Sequence, residues 1–150
     1  MKPIWNKRRI AILCFAFALL TGVAGARSKP DINRQLQSAI ARVRKAKTIT
    51  AKSDAAERIL ALTYERDCSD VTDETIQSMI SLLDVPDDGV RMWVAAALGD
   101  IGPRAKAAVP KLLSILAEVD CKIWDQSSAA TIPVALESMG VARPPWNCPY

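Results

Sequence analysis

Val90-Arg91-Met92-Trp93-Val94-Ala95-Ala96-Ala97-Leu98-Gly99-Asp100-Ile101-Gly102-Pro103 is the stretch from which the architecture can be read. Its closing segment, Ala96-Ala97-Leu98-Gly99-Asp100-Ile101-Gly102, is echoed by Val134-Ala135-Leu136-Glu137-Ser138-Met139-Gly140. The two final glycines lie 38 residues apart (140 − 102). A period of that length holds two helices, and chains that repeat it stack helix pairs into an α-solenoid. Small residues at 95, 96 and 97 let neighbouring helices approach closely. Gly99 and Gly102 keep the inter-helix turn tight, and Gly102 can take a positive φ at no steric cost.

Helical spacing extends outward on both sides. Asp31 is placed to cap a first helix running to about residue 47. Ile32, Leu36, Ala39, Ile40 and Val43 form its apolar stripe, and Arg34, Arg42, Arg44 and Lys45 fall away from it. Ser53 or Asp54 is expected to cap a second helix that ends near Arg66. Asp67-Cys68-Ser69-Asp70 is a polar break. Thr72-Asp73-Glu74 opens a third helix, whose first-turn acids suit the positive end of the helix dipole. A fourth helix is expected over 90–101, a fifth over 104–119 and a sixth over 126–139. Residues 141–150 carry three prolines and read as an extended tail. No useful length alternates apolar and polar residues, so the class is all-α: a short solenoid of about three helix pairs.

The stretch 90–103 resembles the first helix of a HEAT-like repeat, of the short bacterial type also found in phycobilin lyases. Ala107-Ala108-Val109-Pro110-Lys111-Leu112-Leu113-Ser114-Ile115-Leu116 is similar to its second helix. Leu82-Leu83-Asp84 before Asp87-Asp88-Gly89-Val90-Arg91 matches the usual entry. The match covers about 79–116, with a weaker echo at 126–140. The resemblance implies a built-in kink at Pro110, where an interior proline would otherwise cost about 3 kcal/mol. Pro133 has no such precedent, and a bend is expected there. Arg91 is placed to pair with Asp84 or Asp88, and the resemblance implies a structural role, bracing one repeat against the next. Trp93 departs from the family, which usually has a small residue there. Its indole either fills a gap beside the second or third helix or stands exposed as a partner-binding anchor. The second helices, near 76–83 and 109–118, would line the concave side, making Lys111 and Ser114 contact candidates.

The full chain of 150 residues carries 20 Lys and Arg against 16 Asp and Glu. Four of those cations, Lys2, Lys7, Arg8 and Arg9, precede an uncharged run over 10–20 and then Ala24-Gly25-Ala26. That is the layout of a secretory signal peptide cleaved after Ala26. Residues 27–150 then hold 16 basic and 16 acidic side chains, which removes the case for a nucleic-acid partner. The charge is polarised: residues 27–52 sum to +7 and residues 53–150 to −7. The basic N-terminal helix reads as a solvated face partly matched by the acids at 67–74. The sharper reading has Arg42, Arg44 and Lys45 dock an acidic partner or anionic lipid.

Export leaves Cys68, Cys121 and Cys148 in an oxidising compartment. A Cys121–Cys148 disulfide is expected. The tail from 141 to 148, about 25 Å when extended, can run back along a sixth helix about 18 Å long. Cys68 is then left over, as an inert thiol or one tied to a partner rather than a catalytic one. The chain has no His, so imidazole chemistry is excluded. No cysteine pair has metal spacing and no glycine-rich phosphate loop occurs. Catalytic residues, metal ligands and cofactors are therefore expected to be none. Periplasmic or secreted, non-catalytic protein binding is the leading function, as scaffold, adaptor or an inhibitor of immunity type. An enzyme or enzyme accessory related to the lyases is the alternative, as is an envelope structural protein held at the membrane.

Overall fold

Asp31 begins the described part of the chain. The computed structural model describes residues 31–118 and 127–144, and the signal segment and both candidate disulfide cysteines lie outside them. Asp31 Oδ1 accepts the Asn33 amide at 3.0 Å and caps α1 (Ile32–Lys45). Leu36, Ala39, Ile40 and Val43 are buried along one side of α1, as their spacing predicts. Arg42, Arg44 and Lys45 fall in the last turn, where the helix dipole favours cations.

α2 (Ile49–Thr63) starts earlier than expected. Thr48, not Ser53 or Asp54, is its cap, with extended backbone and a side chain that accepts the Ala51 amide at 3.2 Å. α3 (Asp73–Ile80) is capped by Thr72 and tightens into a 3-10 helix over Ser81–Asp84. α4 (Asp88–Ile101) begins two residues before the predicted start, because Asp87 accepts the Val90 amide at 2.9 Å and caps it.

The expected fifth helix is shorter at its start. Gly102–Ala108 winds as a 3-10 helix, and α5 covers Val109–Glu118. Pro110 has no N–H to offer the Lys106 carbonyl, and that carbonyl accepts from the Val109 amide instead. Pro110 therefore sits in the first turn of α5, where a missing donor is tolerated. α6 (Ser127–Ser138) contains Pro133 without ending there. Residues 141–144 have no regular structure. Among the described residues every regular element is helical.

α2, α4 and α6 end at residues 63, 101 and 138, steps of 38 and 37. α4 packs against α2 on one side and α6 on the other, while α1 packs on α2 and α3. Hydrogen bonds between side chains join positions one period apart: Trp93 to Ser53, Thr63 to Asp100 and Ser128 to Asp88 span 40, 37 and 40 residues. Gly99 faces α6 across a tight contact. A Cβ there would lie 3.0 Å from Ala135 Cα and 3.2 Å from Ala135 Cβ. α4 thus approaches Ala135 of α6 closely at a position that has no side chain of its own. Ile59, Leu98, Ile132 and Leu136 are fully buried in the same core, each contributing about 1.5–3 kcal/mol by leaving water.

Candidate functional site

Trp93 occupies the first of its two expected places. It is half-buried against the core, and its Nε1–H donates to Ser53 Oγ on α2 at 3.2 Å. Arg91 does not take the expected ion pair. Its Nε donates to the Val85 carbonyl at 3.1 Å, bracing the turn that precedes α4. The two proposed acidic partners are engaged elsewhere. Asp84 pairs with Lys111 at 2.5 Å, and Asp88 accepts from the hydroxyl of Ser128. The side-chain positions explain the difference. Asp88 points across to α6, and Asp84 sits within reach of α5.

Lys111 thus bridges α5 to the 3-10 turn before α4, with 38% of its side chain exposed. Ser114 is exposed on α5 beside Leu113, an apolar side chain left 40% exposed. Gly102 takes the expected positive φ at the end of α4, 70°, and Gly140 matches it at 78°.

Arg42, Arg44 and Lys45 are exposed on α1. Arg44 donates to Ser81 Oγ at 2.9 Å. The acids at 67–74 do not match this basic helix as expected. Asp73 pairs with Arg104 at 3.4 Å, and Asp70 meets α1 only through its carbonyl, which accepts from Asn33. The apolar stripe of α1 is buried in the core, so this helix has no apolar face to lay into a bilayer.

A groove of about 350 Å³ runs between α1 and α2, lined by Arg34, Gln35, Ser38, Ala39, Arg42, Arg58 and Leu62. Arg34, Ser38 and Arg42 stand at one-turn intervals along α1, and Arg58 faces them from α2. Among the described residues no acidic side chain lines it. Arg42 was legible as a contact residue from the polar side of the first helix. Arg34 was visible as a member of that side but not as part of a site, and nothing in the sequence links it to Arg58. A second cleft of about 280 Å³ lies among Pro86, Asp87, Asp88, Arg91, Ile115, Glu118 and Ser128, where the charges are mixed.

Arg104 is a structural residue that the sequence did not mark. Its guanidinium donates to the carbonyls of Ser69 at 2.5 Å and Val71 at 2.6 Å, and more weakly to that of Cys68 at 3.3 Å. It holds the polar break between α2 and α3 in one conformation. Burial pushes the Cys68 thiol above its ordinary range, and the nearby carboxylates of Asp100 and Asp67 add to the effect. Cys68 is buried and unpaired, with its Sγ directed at the Thr63 carbonyl. Burial also raises the Asp100 carboxyl, opposed by the Thr63 hydroxyl that donates to it at 3.0 Å. Among the described residues no cluster of three Cys, Asp or Glu side chains is arranged to hold a metal ion, and no helix is long and apolar enough to cross a membrane.

No family model matches the chain, and neither a curated protein nor a solved structure does. By its own architecture it is an all-helical protein with helices in a regular register.

Proposed function

We propose that this chain is an exported, non-catalytic protein-binding solenoid of HEAT-like type. The observation that carries the solenoid reading is the register of α2, α4 and α6, which end 38 and 37 residues apart (101 − 63 and 138 − 101) with α4 packed between the other two. Hydrogen bonds that link positions 37–40 residues apart support it further. Repeat scaffolds of this kind offer extended surfaces to other proteins. The exposed side of α5, with Leu113, Ser114 and the Lys111 stem, supports a contact surface there. The basic and apolar layout of residues 1–26 supports export.

The test is native-size analysis of the tagged full chain recovered from the cell envelope, with mass spectrometry of its N-terminus. A mature chain that begins at Arg27 and migrates in a stoichiometric complex with a second protein is expected. A chain that migrates alone at every salt concentration would defeat the reading.

A further inference from the structure

The groove between α1 and α2 concentrates positive charge where nothing in the described fold uses it. Arg34, Arg42 and Arg58 line it, and the ion pairs among the described residues involve Arg104, Lys111 and Arg143 instead. Structural arginines elsewhere in this protein are tied down: Arg104 to three carbonyls, Arg91 to Val85 and Arg44 to Ser81. Among the described residues Arg34, Arg42 and Arg58 have no such partner. Three guanidinium groups brought to one concave surface repel each other, and a ligand that carries anionic oxygens relieves that repulsion.

We propose that the groove takes an acidic segment of the partner protein, with at least two carboxylates spread along α1. This rests on the protein-binding reading above. Three features select that occupant. Arg34 and Arg42 are eight residues apart on one helix, about 12 Å along its axis, so they suit separated carboxylates better than one compact phosphate. The amide end of α1, where a phosphate would otherwise find backbone donors, is capped by Asp31, which accepts from Asn33. The groove floor is Ala39 and Leu62 with no aromatic ring for a nucleobase, and the buried stripe of α1 leaves no face for a lipid. Ser38, midway between Arg34 and Arg42, adds a hydroxyl that donates to a carboxylate bound over it.

The probe is a fluorescein-labelled decapeptide of glutamate, titrated with the purified full chain at low salt and followed by anisotropy. Saturable binding is expected, with the Nε–H signals of Arg34, Arg42 and Arg58 shifting in NMR spectra. The triple variant R34Q/R42Q/R58Q, checked for wild-type circular dichroism, should bind about tenfold more weakly. The charge-matched triple K47Q/R66Q/K106Q, exposed and outside the groove, should lose less than about threefold. Equal losses in the two triples would overturn the proposal, as would the absence of peptide binding. Larger shifts of the groove arginines with pyrophosphate, or with vesicles of anionic phospholipid, would also overturn it. If the groove triple keeps the native envelope complex at wild-type affinity, the groove assignment fails and the protein-binding reading stands. If the wild-type chain forms no complex at all, both fail.

Discussion

Two glycines and one aspartate carry most of the residue-scale consequences. Gly99→Ala puts a Cβ 3.0 Å from the α6 backbone at Ala135. α4 and α6 must then separate, and denaturant titration should show a loss of about 1–3 kcal/mol. Gly102→Ala fails for another reason. At φ 70° and ψ −139° the backbone is in a region that β-carbons disfavour, at a cost of about 1–3 kcal/mol. Asp100 gives a pH signature. Its folded carboxyl is raised above the ordinary value by burial, so the native state prefers the protonated form. That contribution is complete below the ordinary carboxyl range and is lost as pH rises through the raised value. In melting curves from pH 3.5 to pH 7, D100N should gain on wild type as pH rises, and a constant difference would be inconsistent with this origin. Gly102 was legible in the sequence because a glycine that ends a helix commonly takes positive φ. The contact partners of Arg91 were not. Asp84 and Asp88 lie near it in the chain, but they point to α5 and α6.

Among the described residues the helices were legible in number and order, because apolar residues recur at helical spacing from Ile32 to Met139. Their ends were less so. Ser53 has a good capping side chain, but the apolar and helix-forming residues 49–52 let the helix begin a turn earlier, at Thr48. Ser53 then serves as the acceptor for Trp93. Thr48→Ala should therefore cost about 1 kcal/mol through the lost cap. Ser53→Ala should instead alter Trp93 emission while leaving the start of α2 protected in hydrogen exchange. Arg104 was silent in the sequence because its partners are backbone carbonyls about 35 residues away, which no side-chain pattern announces. Arg104→Gln should destabilise by about 1–2 kcal/mol, with the loss of amide protection concentrated in residues 67–72.

At the scale of the whole molecule, the 38-residue echo seen between Gly102 and Gly140 continues backward to α2. The earlier unit was harder to see, since Thr63 and Tyr64 stand where later units have Ile101-Gly102 and Met139-Gly140. The polarity of +7 against −7 along residues 27–150 was also legible. Its concentration into one arginine-lined groove was not, because Arg58 reaches α1 only through the α1–α2 packing. The central claim is that this scaffold binds another protein through its second-helix side. The most direct measurement is photo-crosslinking in the cell envelope, with a photoreactive residue placed singly at Gln77, Ser114, Ala130 or Glu137. Adducts to one common protein from Gln77 on α3 and Ser114 on α5, and none from the two α6 positions, are expected. Adducts from α6 alone, or from no position, would contradict the claim.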